Sequence, residues 1–404
     1  MVSYENLSWA QVPASTTWCE AAMIEKSFRG STGYWVWVVM LLAISAAGFG
    51  SYMGQLTRGL GITGMGRDVS WGLYIANFTF FVGVAASAVM VVLPYYLHHV
   101  KEFRKIVILG EFLAVAAVVM SVLFIFVDLG QPGRVFNIIR YPSPRSLLFW
   151  DMIVLNGYLF LNLLIGWSTL DAEYKDEPVL GWVKPLIILS IPWAVSIHTV
   201  TAFIYQGLAA RPSWYTALWA PRFLASAFAS GPSLLILMAL LIRRMTPFDP
   251  GLEAIRKVAT IVTYALLATI FLFLVELFTI LYGDLPHDVS HLRYLFLGLE
   301  GHSGLVPWIW TSVVLMVLAA IALLAGGAKH EGVLAVTCLA VFVAVWIDKG
   351  LGLIVPGFVP SPLGQITDYV PTLAEALITV GIWAVGFLIV TVFYKVTVGV
   401  RSEE

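Results

Sequence analysis

His198 falls deep within an apolar stretch, about ten residues or ~15 Å of helix from the nearer end. Thr201 and Tyr205 follow at three and seven residues, with Gln206 beside them, so one helical stripe would offer an imidazole, a hydroxyl and a phenol. That stripe suits a quinone carbonyl, and a histidine titrating near neutrality can accept one of the two protons released when a quinol is oxidised. The same imidazole could instead tie two helices together, but ionisable groups inside a membrane lean towards function. Asn77, in Trp71-Gly72-Leu73-Tyr74-Ile75-Ala76-Asn77, is either a second carbonyl ligand or polar glue between helices, and on its own the second role is preferred.

The acids divide by position. Asp128 closes an apolar run in Phe126-Val127-Asp128-Leu129-Gly130-Gln131-Pro132, at the negative end of a helix dipole, and so calls for a cation such as Arg134, Arg140 or Arg145 from the same loop, unless solvent covers it. Asp151 sits in a first helical turn, where the dipole favours an acid, and reads as a helix-start charge. Glu276 and Glu111 would be stepping stones for protons or neutral hydrogen-bonded acids, with Tyr282 above Glu276. Asp348 and Lys349 suggest an ion pair at a helix end that could join this proton path, and Glu375, four residues after Pro371, suggests helix-start chemistry.

Metal and haem chemistry find little support. His287, Asp288 and His291 have an i, i+4 histidine spacing, but a solvated loop explains it better than a metal, and no metal site is expected. Adjacent His98 and His99, at the inner end of a span, cannot face the same way, and a haem needs two deep imidazoles where only His198 qualifies, so none is expected. Cys19 and Cys338 are far apart with no cluster spacing, so no iron–sulfur cluster is expected in this chain either.

These residues need a scaffold, and the composition says which solvent it faces. Of 404 residues 60% are hydrophobic and 12% charged, a balance that puts most of the chain in hydrocarbon. A net charge of -1 and scattered basic residues give no nucleic-acid surface. The first thirty residues lack a basic start followed by an apolar run, so no cleaved signal peptide is expected. Apolar runs long enough for ~30 Å of hydrocarbon fall at roughly 34–55, 71–97, 106–127, 147–169, 184–208, 223–242, 258–282, 305–325, 333–350 and 371–395. They are continuously apolar, which argues against a barrel and for an all-α polytopic membrane protein of about ten transmembrane helices.

An even number of spans puts both termini on one side. With the termini cytoplasmic, inner loops hold fourteen Lys and Arg against nine outside, which is the usual bias for a cell-membrane protein. The outer nine are Arg58, Arg67, Arg134, Arg140, Arg145, Arg211, Arg222, Arg293 and Lys349, almost pure arginine, so this end looks like a docking face. The expected organisation is a cytoplasmic segment 1–33, a first helix and outer loop 34–70, a four-helix bundle 71–209 with the quinone site, a second bundle 210–351, and a last helix and tail 352–404.

Several motifs together resemble the NrfD/PsrC family of membrane subunits: Trp71-Gly72-Leu73-Tyr74-Ile75-Ala76 with Phe80-Phe81-Val82-Gly83, Asp128-Leu129-Gly130-Gln131-Pro132, Pro142-Ser143-Pro144 before Trp150-Asp151, His198-Thr199-Val200-Thr201-Ala202, and Arg211-Pro212-Ser213-Trp214 before Pro221-Arg222-Phe223-Leu224. The likeness covers spans two to six and extends to the rest by topology. It implies a membrane protein without cofactors of its own that binds menaquinone or menaquinol near the outer face, around Trp71, Asn77, Asp128, His198, Thr201 and Tyr205. It also implies a ferredoxin-like iron–sulfur partner on that face and further cytochrome or catalytic subunits. The ten-span length and Trp-rich start are most similar to DsrP-type members, linked to dissimilatory sulfur metabolism. On this reading His198 and Asp128 carry the chemistry, and Glu111, Glu276 and Asp348 form a proton path. A secondary transporter and a passive membrane anchor are the alternatives that the residues leave open.

Overall fold

The computed structural model describes residues 30–401 except His99, Leu285 and Pro362, and the backbone alone of His287, Val400 and Arg401. Cys19, His99, the His287 imidazole and most of the segment 1–33 therefore lie outside the described residues.

Ten helices are long and apolar enough to cross a membrane. They are α1 (Thr32–Arg58), α2 (Leu73–Leu97), α3 (Lys101–Asp128), α4 (Leu147–Tyr174), α5 (Val183–Gln206), α6 (Trp219–Met245), α7 (Leu252–Gly283), α8 (Val306–Leu324), α9 (Glu331–Phe358) and α10 (Leu373–Gly399). Among the described residues the β content is an isolated bridge between Leu299 and His302. Backbone polar groups in hydrocarbon must be satisfied inside their own segment, which is why unbroken apolar runs become helices. Local chemistry sets the starts. The Ser31 hydroxyl accepts from the Tyr34 amide at α1. At α10, Thr372 and Glu375 cap each other reciprocally, the Thr372 amide donating to Glu375 at 2.8 Å and the Glu375 amide to Thr372 at 3.4 Å.

Two spans differ from the hydropathy reading in a way that matters. α6 begins at Trp219 and α9 runs on to Phe358, so Arg222 and Lys349 are buried within spans and do not belong to the outer loops. α9 continues past the expected end because a π-helical turn, Trp346–Leu351, carries the chain through its polar pair without leaving the helix.

Helices α2 to α5 pack in chain order, with α5 returning to α2, and α6 to α9 do the same, with α9 returning to α6. Helices α1 and α10 pair with each other, and α10 rests on α3. The two groups meet where α2 lies against α6 and the π turn of α9. Helix α2 is the centre of the molecule, with 94% of its most apolar stretch buried against 17% for α1. Glycine makes that central contact possible: a Cβ on Gly231 of α6 would stand 2.8 Å from the Val84 carbonyl and 2.9 Å from the Ser87 amide.

Candidate functional site

The arginine-rich end of α2 to α5 gathers three other expected site residues, Trp71, Asp128 and Thr201, around Tyr205. The Tyr205 phenol hydrogen-bonds the Thr79 hydroxyl of α2 at 2.5 Å. One turn deeper, Thr201 donates to Asp151 of α4 at 2.7 Å. Asp128 at the end of α3 lies within electrostatic reach of Tyr205, as does Asp151. Trp71 stacks on Trp214, with centroids 5.8 Å apart, and meets Tyr205 edge-on at 6.0 Å. With Phe358 of α9 these indoles form an aromatic plug, fastened by the Trp214 indole N–H donating to the Leu353 carbonyl at 2.9 Å. Tyr205, Thr79 and Trp214 are fully buried.

Asp128 does not have the cation expected of it. Arg134, Arg140 and Arg145 are exposed, and no ion pair joins any of them to Asp128 among the described residues. The loop turns away through Pro132–Phe136, so the arginines point to solvent while the acid stays half-buried under α1. What faces Asp128 is another acid, Glu375 of α10. Glu375 is fully buried and richly held: Tyr369 donates to it at 2.7 Å, the Gly64 amide at 2.7 Å and the Thr372 amide at 2.8 Å. Tyr369 itself stays protonated, its acidity weakened by burial and then by Glu375. Gln55 of α1 bridges the parts, donating to the Val127 carbonyl at 2.6 Å and accepting from Tyr74 at 2.7 Å.

Beside this network a shallow cleft, ≈ 190 Å³ counted out to open solvent, lies between α1 and the end of α3, lined by Tyr52, Gln55, Leu56, Leu60, Leu129 and Pro132 among others. Two buried polar atoms here, Asp128 Oδ1 and Tyr52 Oη, have no partner among the described residues. Tyr52 lines the cleft and Asp128 adjoins its Leu129, so an unpartnered hydroxyl and acceptor lie where a flat molecule carrying hydroxyl or carbonyl groups could satisfy them.

Other expected site residues go elsewhere. Asn77 is fully buried, but its carbonyl accepts from Trp346 at 3.1 Å and Trp383 at 3.0 Å, while its amide donates to Leu73. It joins α2 to α9 and α10, as polar glue would. His198 is fully buried against Phe228, and both ring nitrogens lack a partner among the described residues. Its charged neighbour is Lys349, which reaches the Phe223 carbonyl at 3.4 Å across that ring's face.

The expected Asp348–Lys349 pair does not form. Asp348 instead bonds Arg222 at 2.6 Å, and Arg222 also pairs with Glu276, so consecutive residues of the π turn serve different partners on α6. Glu111, within reach of Tyr96 and Tyr158 in α2 and α4, belongs to a separate setting and is not joined to the Arg222 cluster by any of these contacts. His291 of the helix Pro286–Phe296 donates to the Pro356 carbonyl at 3.2 Å, and burial lowers its pKa to about 4. Among the described residues no group of three metal-ligating side chains converges.

Sequence reasoning passed over Asp151, Thr79, Gln55, Tyr74, Tyr369 and Arg222. Asp151 carried the one usable signal, an acid within an apolar stretch, but its helix-start position explained it too easily. Arg222 carried another, lying inside the Pro221-Arg222-Phe223-Leu224 motif.

The family profile described as "Polysulphide reductase, NrfD" matches residues 61–360. A putative dimethyl sulfoxide reductase membrane subunit of Halobacterium salinarum is 26% identical over 88% of this chain and 89% of its own length. An "Hdr-like menaquinol oxidoreductase integral membrane subunit" of Archaeoglobus fulgidus is 24% identical over 93% of this chain and 96% of its own. A selenate reductase subunit of Mesobacillus selenatarsenatis is 23% identical over 63% of this chain and 67% of its own.

Proposed function

Because the chain belongs to the NrfD polysulphide reductase family, we propose that it is the quinol-binding membrane subunit of a multisubunit oxidoreductase, with the head group seated in the cleft between α1 and α3. The Archaeoglobus relative, named as part of a menaquinol oxidoreductase, supports menaquinol as the donor. The observation that carries the reading is the Asp128 carboxylate, which adjoins the cleft-lining Leu129 and has a buried Oδ1 with no partner and no bonded cation among the described residues.

A bound quinol supplies two electrons and two protons on oxidation. The residues do the rest. Asp128 accepts one proton at Oδ1, the other leaves to water at the mouth of the cleft, and Tyr52 and Gln55 orient the ring's hydroxyls. Glu375, held by Tyr369 and Thr372, acts on Asp128 electrostatically from α10, and the Trp71–Trp214 pair packs against Tyr205. His198, enclosed against Phe228 and near Lys349, does not line the cleft and takes no part in holding the head group in this reading.

Electrons leave towards an iron–sulfur partner docked on the exposed Arg134, Arg140 and Arg145 surface, which suits an acidic protein face. Further catalytic or cytochrome subunits complete the complex. The termini are cytoplasmic in this proposal, and the setting in dissimilatory sulfur metabolism rests on the DsrP-like length and Trp-rich start.

The test is Asp128→Asn in the assembled complex. Menaquinol oxidation should fall by about 100-fold, the loss typical of a proton acceptor, with the partner subunits still bound. Unchanged turnover would refute the assignment. Coupling to proton movement through Glu276 and Asp348 is a separate proposal, supported by their shared burial on Arg222. Glu276→Gln should abolish quinol-driven membrane potential in proteoliposomes, and a full potential in that variant removes the idea.

A further inference from the structure

The second group of helices has an opening of its own. Between α7, α8, α9 and the helix Pro286–Phe296 lies a space of ≈ 440 Å³ counted out to its mouth. Its floor is the Arg222–Glu276–Asp348 cluster, and its walls include Phe273, Leu277, Ile280, Leu292, Phe296 and Ile309. Apolar walls above a polar floor, in the membrane-spanning part of the molecule, make an entrance for something dissolved in the bilayer.

The floor has one unused donor. Arg222 commits Nη1 to Glu276 and Nη2 to Asp348, yet its Nε has no partner among the described residues although the side chain is 7% exposed. A buried guanidinium N–H without an acceptor is a defect that a ligand oxygen would relieve. The charge of the floor narrows the choice. One cation against two carboxylates has no surplus positive charge to hold a phosphate or another anion. His291, which also lines the space, has its Nδ1 proton committed to Pro356.

We propose that this cleft binds a neutral carbonyl-bearing head on an apolar tail, drawn from the bilayer, with the carbonyl oxygen accepting from Arg222 Nε. A quinone and an ester-linked lipid share that chemistry. The site is separate from the α1–α3 cleft and does not depend on the reading given to it.

The experiment uses the assembled complex in lipid nanodiscs and three photoreactive probes: a prenylated azido-naphthoquinone, a diacyl phosphatidylcholine, and its dialkyl-ether counterpart, which has the tails without a carbonyl. Cross-linked peptides are mapped by mass spectrometry. The naphthoquinone or the diacyl lipid should label residues 273–280 or 292–309 at least tenfold more than the ether lipid. Leu277→Trp, which fills a wall and leaves the charged floor intact, should cut that labelling at least tenfold without changing labelling beside Asp128. Arg222→Lys keeps a cation for the two acids but removes the planar donor, and should cut it as well.

Labelling by the naphthoquinone assigns a quinone, and labelling by the diacyl lipid alone assigns a structural lipid. Labelling by neither, equal labelling by the ether lipid, or labelling that survives Leu277→Trp overturns the proposal. Loss of labelling beside Asp128 alone would count against the quinol cleft and leave this one standing.

Discussion

Two sets of buried acids lie towards the arginine-rich end of the molecule, and they are treated in opposite ways. In the α6–α9 group, Glu276 and Asp348 share the guanidinium of Arg222. In the α2–α5 group and its neighbour α10, Asp128 faces Glu375, and Asp151 has the Thr201 hydroxyl, with no cation bonded to any of the three among the described residues. Removing a carboxylate from water without a counter-charge is costly, so a fold tolerates it where a proton has to be held. The compensated cluster ties α6, α7 and α9 together. The uncompensated acids mark where protonation can change.

That contrast predicts which substitutions damage the fold and which damage turnover. The largest effect should come from Arg222→Ala, which leaves two buried carboxylates facing each other. It should cost roughly 3–5 kcal/mol, read as a fall in the thermal unfolding midpoint of the purified complex. Asp128→Asn, which breaks no ion pair, should leave that midpoint nearly unchanged while turnover collapses. If both variants destabilise equally, the two regions are not different in kind.

A smaller effect is expected for Thr201→Val, which keeps the shape but leaves Asp151 without its donor. About 1–3 kcal/mol should be lost, and a double-mutant cycle with Asp151→Asn should show that the two losses are not additive. The smallest concerns His291 near neutral pH. Its folded pKa of about 4 lies below the unfolded value of about 6.5, so the unfolded chain binds more protons between those values. Its contribution is therefore complete above pH 6.5, declines as pH falls towards 4, and is gone below that. His291→Phe should flatten this part of the stability–pH curve, and an unchanged slope would move its origin to another group.

The ten spans were legible in the sequence, with ends displaced by up to eight residues, because hydropathy over twenty positions is a summed signal that single side chains cannot overturn. Glu375 was legible as helix-start chemistry because that is local, although its reciprocal partner Thr372 was not named. The site was only partly legible. Thr201, Tyr205, Trp71 and Asp128 do come together, but Asn77 turns to Trp346 and Trp383, and His198 turns to Phe228 and Lys349. Asp151 was underrated because the helix dipole accounts for an acid at a helix start, and nothing local reveals a hydroxyl fifty residues on.

By itself the sequence determined the solvent, the ten spans and the family, since each follows from properties that accumulate along the chain or from motifs short enough to be read whole. Only the tertiary structure decided which buried acid meets a cation. Asp348 and Lys349 are neighbours in sequence, yet one bonds Arg222 and the other the Phe223 carbonyl, each 126 residues away. Charge compensation inside a membrane depends on which helix faces which, and a linear string of residues leaves that facing open until the helices pack.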